Sequence, residues 1–523
     1  MLSSVVELSR LQFALTALYH FLFVPLTLGL SFMLVIMESV YVMTGRPIWR
    51  TITRFWATIF GINFVLGVGT GLTMEFEFGT NWSYYAHYVG DIFGAPLAIE
   101  GLMAFFLEAT FVGLMFFGWE KLSRPAHLFV TFMVALGSNL SALWILIANG
   151  WMQNPVGAVF NPMTMRMEVS NFETVLFNPV AQAKFVHTVS AGYLTASVFV
   201  FGIAAIMLLR NQSPGVAKRS MTVAASFGLA AALSVVVLGD ESGYTMTDNQ
   251  KMKLASLEAM WNTEPAPASL TLIGLPSVAN RTTYGAIHIP YVLGLIATRS
   301  LDKQVEGILP LVATAQDRIG SGIIAYDAVE RLKANPADPA ARAQFEAHRN
   351  DLGMALLLKR YVADPRTADA ATIRKAAFDT VPNVPAMFFL FRAMAGVGFL
   401  FIAFFATAFV LASTRRLDNK WFLRAAVIVM PLPWIGAEAG WLLSEIGRQP
   451  WVVDDVLPTF LGASSLTVPQ IWTTIVGFTV LYSILAVIEV GLIIRTVQRG
   501  PYAHAAPPPA TGSIPLGVLA PAE

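Results

Sequence analysis

Five side chains able to hold an iron ion recur near one depth of this chain. They are His20 in YHFLFVP, Glu100 in GAPLAIEG, His187 in KFVHT, Met394 in FRAMAG and Glu445 in GWLLSEIGRQPW. Histidine, methionine and carboxylate all serve as haem-iron ligands. A His/Met pair makes a six-coordinate low-spin electron-transfer centre, and a single strong ligand leaves the iron open to a gas. Arg392 and Arg448 add guanidinium groups suited to haem carboxylates, which they grip as a bidentate fork. Glu100 and Glu108 lie about two turns apart on one helix. Ser141, expected at the depth of Glu108, completes a set of carboxyls and a hydroxyl that can relay protons.

Plainer readings stand beside these. A membrane histidine near an interface also packs through hydrogen bonds, and a methionine in a span also faces lipid or core. Glu445 with Arg448 also makes an interfacial salt bridge. Glu100 with Glu108 also suits two protonated acids bridging helices. Residue type and spacing therefore define a redox or ion-handling membrane protein. His87, His127, His288, His348 and His504 fall in loops or at span edges and receive no role. Trp441 and Trp451 read as interface-belt residues.

The elements that must position these groups are membrane helices. Of 523 residues 55% are hydrophobic and 13% charged, and mean hydropathy is +0.61. A soluble domain carries about 25% charged residues, so an all-α polytopic membrane protein is expected. The net charge of +1 implies no nucleic-acid partner. The absence of cysteine excludes iron–sulfur clusters, thiolate-ligated haem and disulfides. The opening MLSSVVELSRLQF lacks the pattern of a removable signal peptide.

Apolar runs of about 20 residues predict nine spans, near 14–43, 53–74, 93–118, 127–149, 185–209, 220–239, 386–413, 422–443 and 469–495. The first is longer than needed and is expected to tilt or project. Basic loops (Arg46, Arg50 and Arg54; Lys121 and Arg124; Arg210, Lys218 and Arg219; Arg415 to Arg424; Arg495 and Arg499) alternate with acidic or neutral ones. That alternation predicts an outer N-terminus and a cytoplasmic C-terminus. The chain divides into spans one to six (1–239), a long outer loop with helical pattern (240–385), spans seven to nine (386–499) and a Pro/Ala-rich disordered tail (500–523). No internal repeat is visible, which weakens an inverted-repeat transporter reading.

Four motifs in order carry a family likeness: GTNW (Gly79–Trp82), GWMQNP (Gly150–Pro155), NPVAQAKFVHT (Asn178–Thr188) and GRQPW (Gly447–Trp451). From about Leu8 to Arg495 the chain resembles subunit I of the cytochrome bd-type quinol oxidases, in their long quinol-loop subtype. The resemblance implies a bacterial inner-membrane enzyme that oxidises ubiquinol or menaquinol and reduces dioxygen to water. It implies a low-spin haem b558, a high-spin haem b595 and a haem d. His187 and Met394 would ligate the low-spin haem, and His20 and Glu445 the two high-spin haems. The favoured arrangement puts His20 on haem d with Glu100 at its opposite face, and Glu445 on the high-spin haem b.

Further roles follow from the same likeness. Glu108 and Ser141 would lie on a proton path from the cytoplasm, and Lys253 and Glu258 would bind quinol in the outer loop. Quinol protons released outside and water protons taken from inside would separate charge without a pump. Partners would be a second large subunit (subunit II), a small single-span accessory subunit and membrane lipid. The competing class is a proton-coupled transporter, with substrate sites near the midplane on broken helices. The ionisable cluster here is off-centre, and that class gives Met394 no task. A haem–copper oxidase or a di-haem cytochrome b subunit needs more membrane histidines than His20 and His187.

Overall fold

The computed structural model describes residues 2–502; most of the tail expected at 500–523, with His504, lies outside them. Among the described residues, nine helical segments are long and apolar enough to cross a membrane. Span one is Ser4–Thr44, span two Pro47–Thr80, span three Ser83–Phe117, span four Arg124–Gln153 and span five Phe172–Leu209. Span six is Pro214–Asn249, span seven Ala370–Ser413, span eight Lys420–Ile446 and span nine Val468–Arg499. Many begin where the sequence offers a cap. Asn178 accepts from the Val180 N–H, Asn383 from Ala386 and Ser123 from Ala126, each followed by a first-turn proline. The side chain satisfies an orphan amide, and the proline gives up an N–H the helix does not need.

Four segments depart from the expected uniform spans. Span one is two helices, Leu2–His20 and Val24–Thr44, broken at Phe21–Phe23 ahead of Pro25. The excess length is thus absorbed by a break, and His20 sits on it. Span three is α-helical to Ile99, a π-helix over Glu100–Phe105, and α-helical again over Phe106–Phe117. Span eight divides into Lys420–Ile428 and Leu432–Ile446 beside Pro431 and Pro433, as proline removes a helix donor and clashes with the preceding turn. Span six continues to Asn249, past the expected end at 239, because GDESGYTMTDN keeps its helical bonds while projecting beyond the apolar stretch.

Span five is central: 78% of its most apolar window is buried, against 11% for spans three and nine. Its closeness to span one requires glycine, since a Cβ on Gly29 would lie 2.5 Å from the Ala196 Cβ. The main core joins spans one, two, five, six and seven. A second core ties the long loop between spans six and seven to the ends of spans seven and eight through Leu254, Trp261, Met387, Leu443 and Trp451. The loop itself contains an antiparallel hairpin, Leu270–Ser277 with Thr282–Ile289. Helices follow at Ile308–Ala334 and Pro339–His348, where its sequence carries helical pattern.

Candidate functional site

The quoted motifs meet at one end of the spans. Asn178 of NPVAQAKFVHT donates to the Asn154 carbonyl (2.8 Å) and accepts from the Asn154 side chain (3.2 Å) in GWMQNP. A Cβ on Gly150 would lie 2.4 Å from the Ala181 Cα, so this glycine lets spans four and five touch. Gly447 of GRQPW is equally confined: a Cβ there would approach the Lys253 Cε to 2.8 Å.

Below this junction is a cavity of about 300 Å³, lined by His20, Glu100, Glu108, Ser141, Glu445 and Arg448 among others. His20 is oriented from behind. Its Nδ1 lies 2.8 Å from the Thr70 Oγ1, and that hydroxyl is close to the Leu66 and Gly67 carbonyls at 2.9 and 3.0 Å. A hydroxyl donating to a carbonyl can only accept from the ring. Nδ1 therefore carries the proton, and Nε2 presents its lone pair for a metal.

Glu445 is held by donors from several elements. Its Oε1 accepts from Asn149 (3.1 Å) and Gln153 (3.3 Å), and Oε2 accepts from Arg448. Lys184 donates to the Asn149 Oδ1 (2.7 Å) and the Ser444 Oγ (2.6 Å). Lys253 reaches in from the long loop, donating to the Gln153 Oε1 (2.9 Å) and the Ser444 carbonyl (3.0 Å). Burial pulls the Lys253 ammonium down to about 8. It pushes Asp454, next to the same network through Gln250, up to about 8. Arg448, expected to meet a haem carboxylate, is here paired with Glu445 and the Val452 carbonyl.

The pocket nevertheless fits a carboxylate-bearing macrocycle. Arg448, on the cavity wall, has its Nε buried without a protein partner. His187 and Met394 do not line this cavity. Each faces a glycine: a Cβ would lie 3.0 Å from the His187 Cε1 at Gly239 and 2.8 Å from the Met394 Sδ at Gly440. The His187 Nδ1 is buried without a partner. The two glycines let these side chains pack directly against the neighbouring helix backbone.

Two expected associations change. Ser141 donates to the Glu100 Oε1 at 2.6 Å rather than standing beside Glu108. Glu108 packs on span four at Gly137, where a Cβ would come within 2.7 Å of its Cγ. Lys253 and Glu258, both expected at the quinol, have different surroundings: Lys253 bonds to Gln153 and the Ser444 carbonyl and lines neither cavity. Glu258 lies in a second cavity of about 220 Å³ in the long loop, with Trp261, Ser269, Thr271 and His288. Its Oε2 accepts from the Thr271 N–H (3.1 Å) and from Arg392 (3.4 Å), while Oε1 and the Trp261 Nε1 are buried without partners. Burial pushes this carboxyl up to about 7 against the pull of Arg392.

Arg392, expected at a haem carboxylate, directs its donors to the Leu272, Leu257, Phe388 and Thr271 carbonyls and to Glu258. It clamps the loop onto span seven. Glu75, Asn149, Gln153 and Lys184 were not singled out by sequence reasoning. The last three were legible as polar residues in or next to the quoted motifs. Glu75, in MEFEF, lines the main cavity.

Comparison with known proteins gives one answer. Residues 8–501 match the family model described as cytochrome bd terminal oxidase subunit I. The chain is 49% identical over 500 residues to the cytochrome bd-II ubiquinol oxidase subunit 1 of Escherichia coli (strain K12), covering 95% of this chain and 97% of that one. It is 33% identical over 499 residues to the cytochrome bd ubiquinol oxidase subunit 1 of Bacillus subtilis (strain 168), covering 95% and 94%. The fold is similar to the solved bd oxidase from Geobacillus thermodenitrificans, with a TM-score of 0.76, 24% identity, and 95% and 99% of the two chains covered. Matched by that family model over residues 8–501 and by relatives along nearly its whole length, the chain belongs to the cytochrome bd terminal oxidase subunit I family.

Proposed function

We propose that this chain is the haem-bearing subunit of a terminal respiratory oxidase, oxidising ubiquinol at its outer loop and reducing dioxygen to water inside the membrane. The observation that carries this reading is the cavity shared by His20 and Glu445, with Glu100, Ser141 and Glu108 on its walls. Bound haems b558, b595 and d would supply the electron path and an open iron position for dioxygen. The Nε2 of His20 and the carboxylate of Glu445 are the ligands offered to the high-spin pair, and His187 and Met394 those offered to the low-spin haem. Arg448, with an Nε–H unmatched by protein, would hold a haem carboxylate.

The remaining groups move protons. Quinol enters the loop cavity, where the free Oε1 of Glu258 accepts a hydroxyl proton and the Trp261 N–H orients the oxygen. Arg392 positions Glu258 and keeps the loop seated. Glu108 passes protons from the cytoplasm toward Ser141 and Glu100. With the N-terminus outside and the C-terminus in the cytoplasm, the two half-reactions separate charge without a pump. Ubiquinol follows from what the named relatives oxidise. Subunit II and a small single-span subunit would cover the exposed apolar spans.

The test is a reduced-minus-oxidised optical spectrum of the purified complex, with and without carbon monoxide. A far-red chlorin band that shifts with carbon monoxide, beside low- and high-spin haem b signals, is the expected result. Assembled protein without haem absorbance would return Glu445 and Arg448 to a plain salt bridge.

A further inference from the structure

At the opposite end of span four from Glu445 lies a buried acid–imidazole pair that the proposed function does not use. Glu38 on span one, His127 and Thr131 on span four are each 1–2% exposed. The His127 Nδ1 stands 2.6 Å from the Glu38 Oε1, and its Nε2 is 3.0 Å from the Met115 carbonyl on span three. Thr131 donates to the other carboxylate oxygen at 2.6 Å.

Both ring nitrogens thus face acceptors. A carbonyl cannot donate, so Nε2 carries a hydrogen. The 2.6 Å line between Nδ1 and Oε1 then needs one further proton, held on either side of it. Removing that proton sets a carboxylate against a ring lone pair inside the protein. The emptied pair is therefore driven to take another proton.

The surroundings give this pair an outlet and an inlet. His127, Thr131, Ser138 and Ser141 fall on one stripe of span four, at the helical spacing of i, i+4, i+11 and i+14. Ser138 and Ser141 line the main cavity. Met115, which accepts from His127, is two turns from Glu108 on the same face of span three, about 10 Å along the helix. Toward the loop, the ring of Trp119 packs on His127 with centroids 3.8 Å apart. The Arg50 guanidinium lies over the same indole at 5.6 Å and bridges to Glu120. One indole and one exposed ion pair separate the dyad from the basic loops.

We propose that Glu38 and His127 form a proton-loading site at the cytoplasmic end of the route to Glu108, gated by Trp119. One proton leaves the Nδ1–Oε1 line toward Ser138 and Glu108 through water, and one from the cytoplasm replaces it past Trp119. The dyad regains its proton at each cycle. This rests on the proton route and orientation given under the proposed function.

The experiment uses the complete complex in proteoliposomes with quinol as donor, reading proton uptake on each side, turnover and the solvent isotope effect. Glu108→Gln serves as the reference. Glu38→Gln and His127→Gln are expected to slow uptake and turnover about tenfold and to raise the isotope effect. Haem spectra stay unchanged, and Glu38→Asp restores part of the rate. Where Glu38 or His127 variants do not assemble, Thr131→Val, nearly the same shape without the hydroxyl, is expected to slow uptake about threefold. Unaltered uptake in assembled variants, with Glu108→Gln slow, overturns the loading site and leaves the route standing. Unaltered uptake in Glu108→Gln as well overturns both.

Discussion

Lys253 and Glu258 are five residues apart and both buried, yet they serve different surroundings. Lys253 reaches down to Gln153 and Ser444, in a network in which nearly every polar atom has a partner and Glu445 is the central anion. Glu258 opens onto the loop cavity with one oxygen unmatched. The first region is a framework that fixes a side chain. The second is a receptor that lacks a donor. A carboxylate ringed by donors is fixed in position for whatever it binds, and one with an unmatched oxygen is open to a proton, so the donor set separates the two roles more sharply than nearness in sequence.

The largest effect should come from cutting the framework at its centre. Glu445→Ala leaves Arg448 and Lys184 without their anion. Breaking a buried pair in this way costs about 3–5 kcal/mol. One high-spin haem signal should be lost and oxygen reduction should fall by at least about a hundredfold, on the scale of a lost ligand. The low-spin signal of the complex should survive, and its loss alone would contradict the separation of the two centres.

Glu258→Gln should lower quinol kcat/KM by about a hundredfold, within the usual range for a removed general base, while oxygen reduction from an artificial donor continues. Because burial raises this acid to about 7, its base form grows as pH climbs. Quinol kcat/KM should rise with pH and level off above about 7, and Glu258→Gln should abolish that inflection. A pH profile retained in the variant would move the proton acceptor elsewhere.

Lys253→Met tests the division directly. The expected result is an altered high-spin haem spectrum with a quinol KM changed less than about threefold, the scale of one weak contact. A variant that matches Glu258→Gln in quinol kinetics and leaves the spectrum intact would merge the two regions into one. The smallest effect belongs to Arg318, partly exposed, which ties the loop to Asp351 at 2.8 Å and to Asp455 at 2.6 Å. Arg318→Ala should loosen the loop by about 1 kcal/mol, read as a few-fold faster protease cleavage within 308–360.

Span number was legible because each span announces itself by about 20 apolar residues. The ligand-type residues were legible because charge and imidazole stand out against such a background. What the sequence did not disclose was pairing. Arg392 looked free for a cofactor carboxylate until the loop folded over it and took its donors. Ser141 was placed by depth with Glu108, but which acid a hydroxyl meets depends on helix rotation, and it meets Glu100. The break after His20 was hidden because FLFVP reads as uninterrupted hydrophobicity, although Pro25 marks its far edge.

The π turn at Glu100–Phe105 has a consequence for alignment. On an unbroken α-helix, positions 100 and 108 would be out of phase by about 80°. A π turn carries one residue more than the α turn it replaces, which brings that offset down to about 20°. The two acids therefore face the same cavity because the helix stores a surplus residue between them. Length, rather than identity, is what this stretch must keep. Conservative replacements within Gly101–Phe105 should be absorbed, whereas deleting any one of these residues would turn Glu108 and everything after it out of phase.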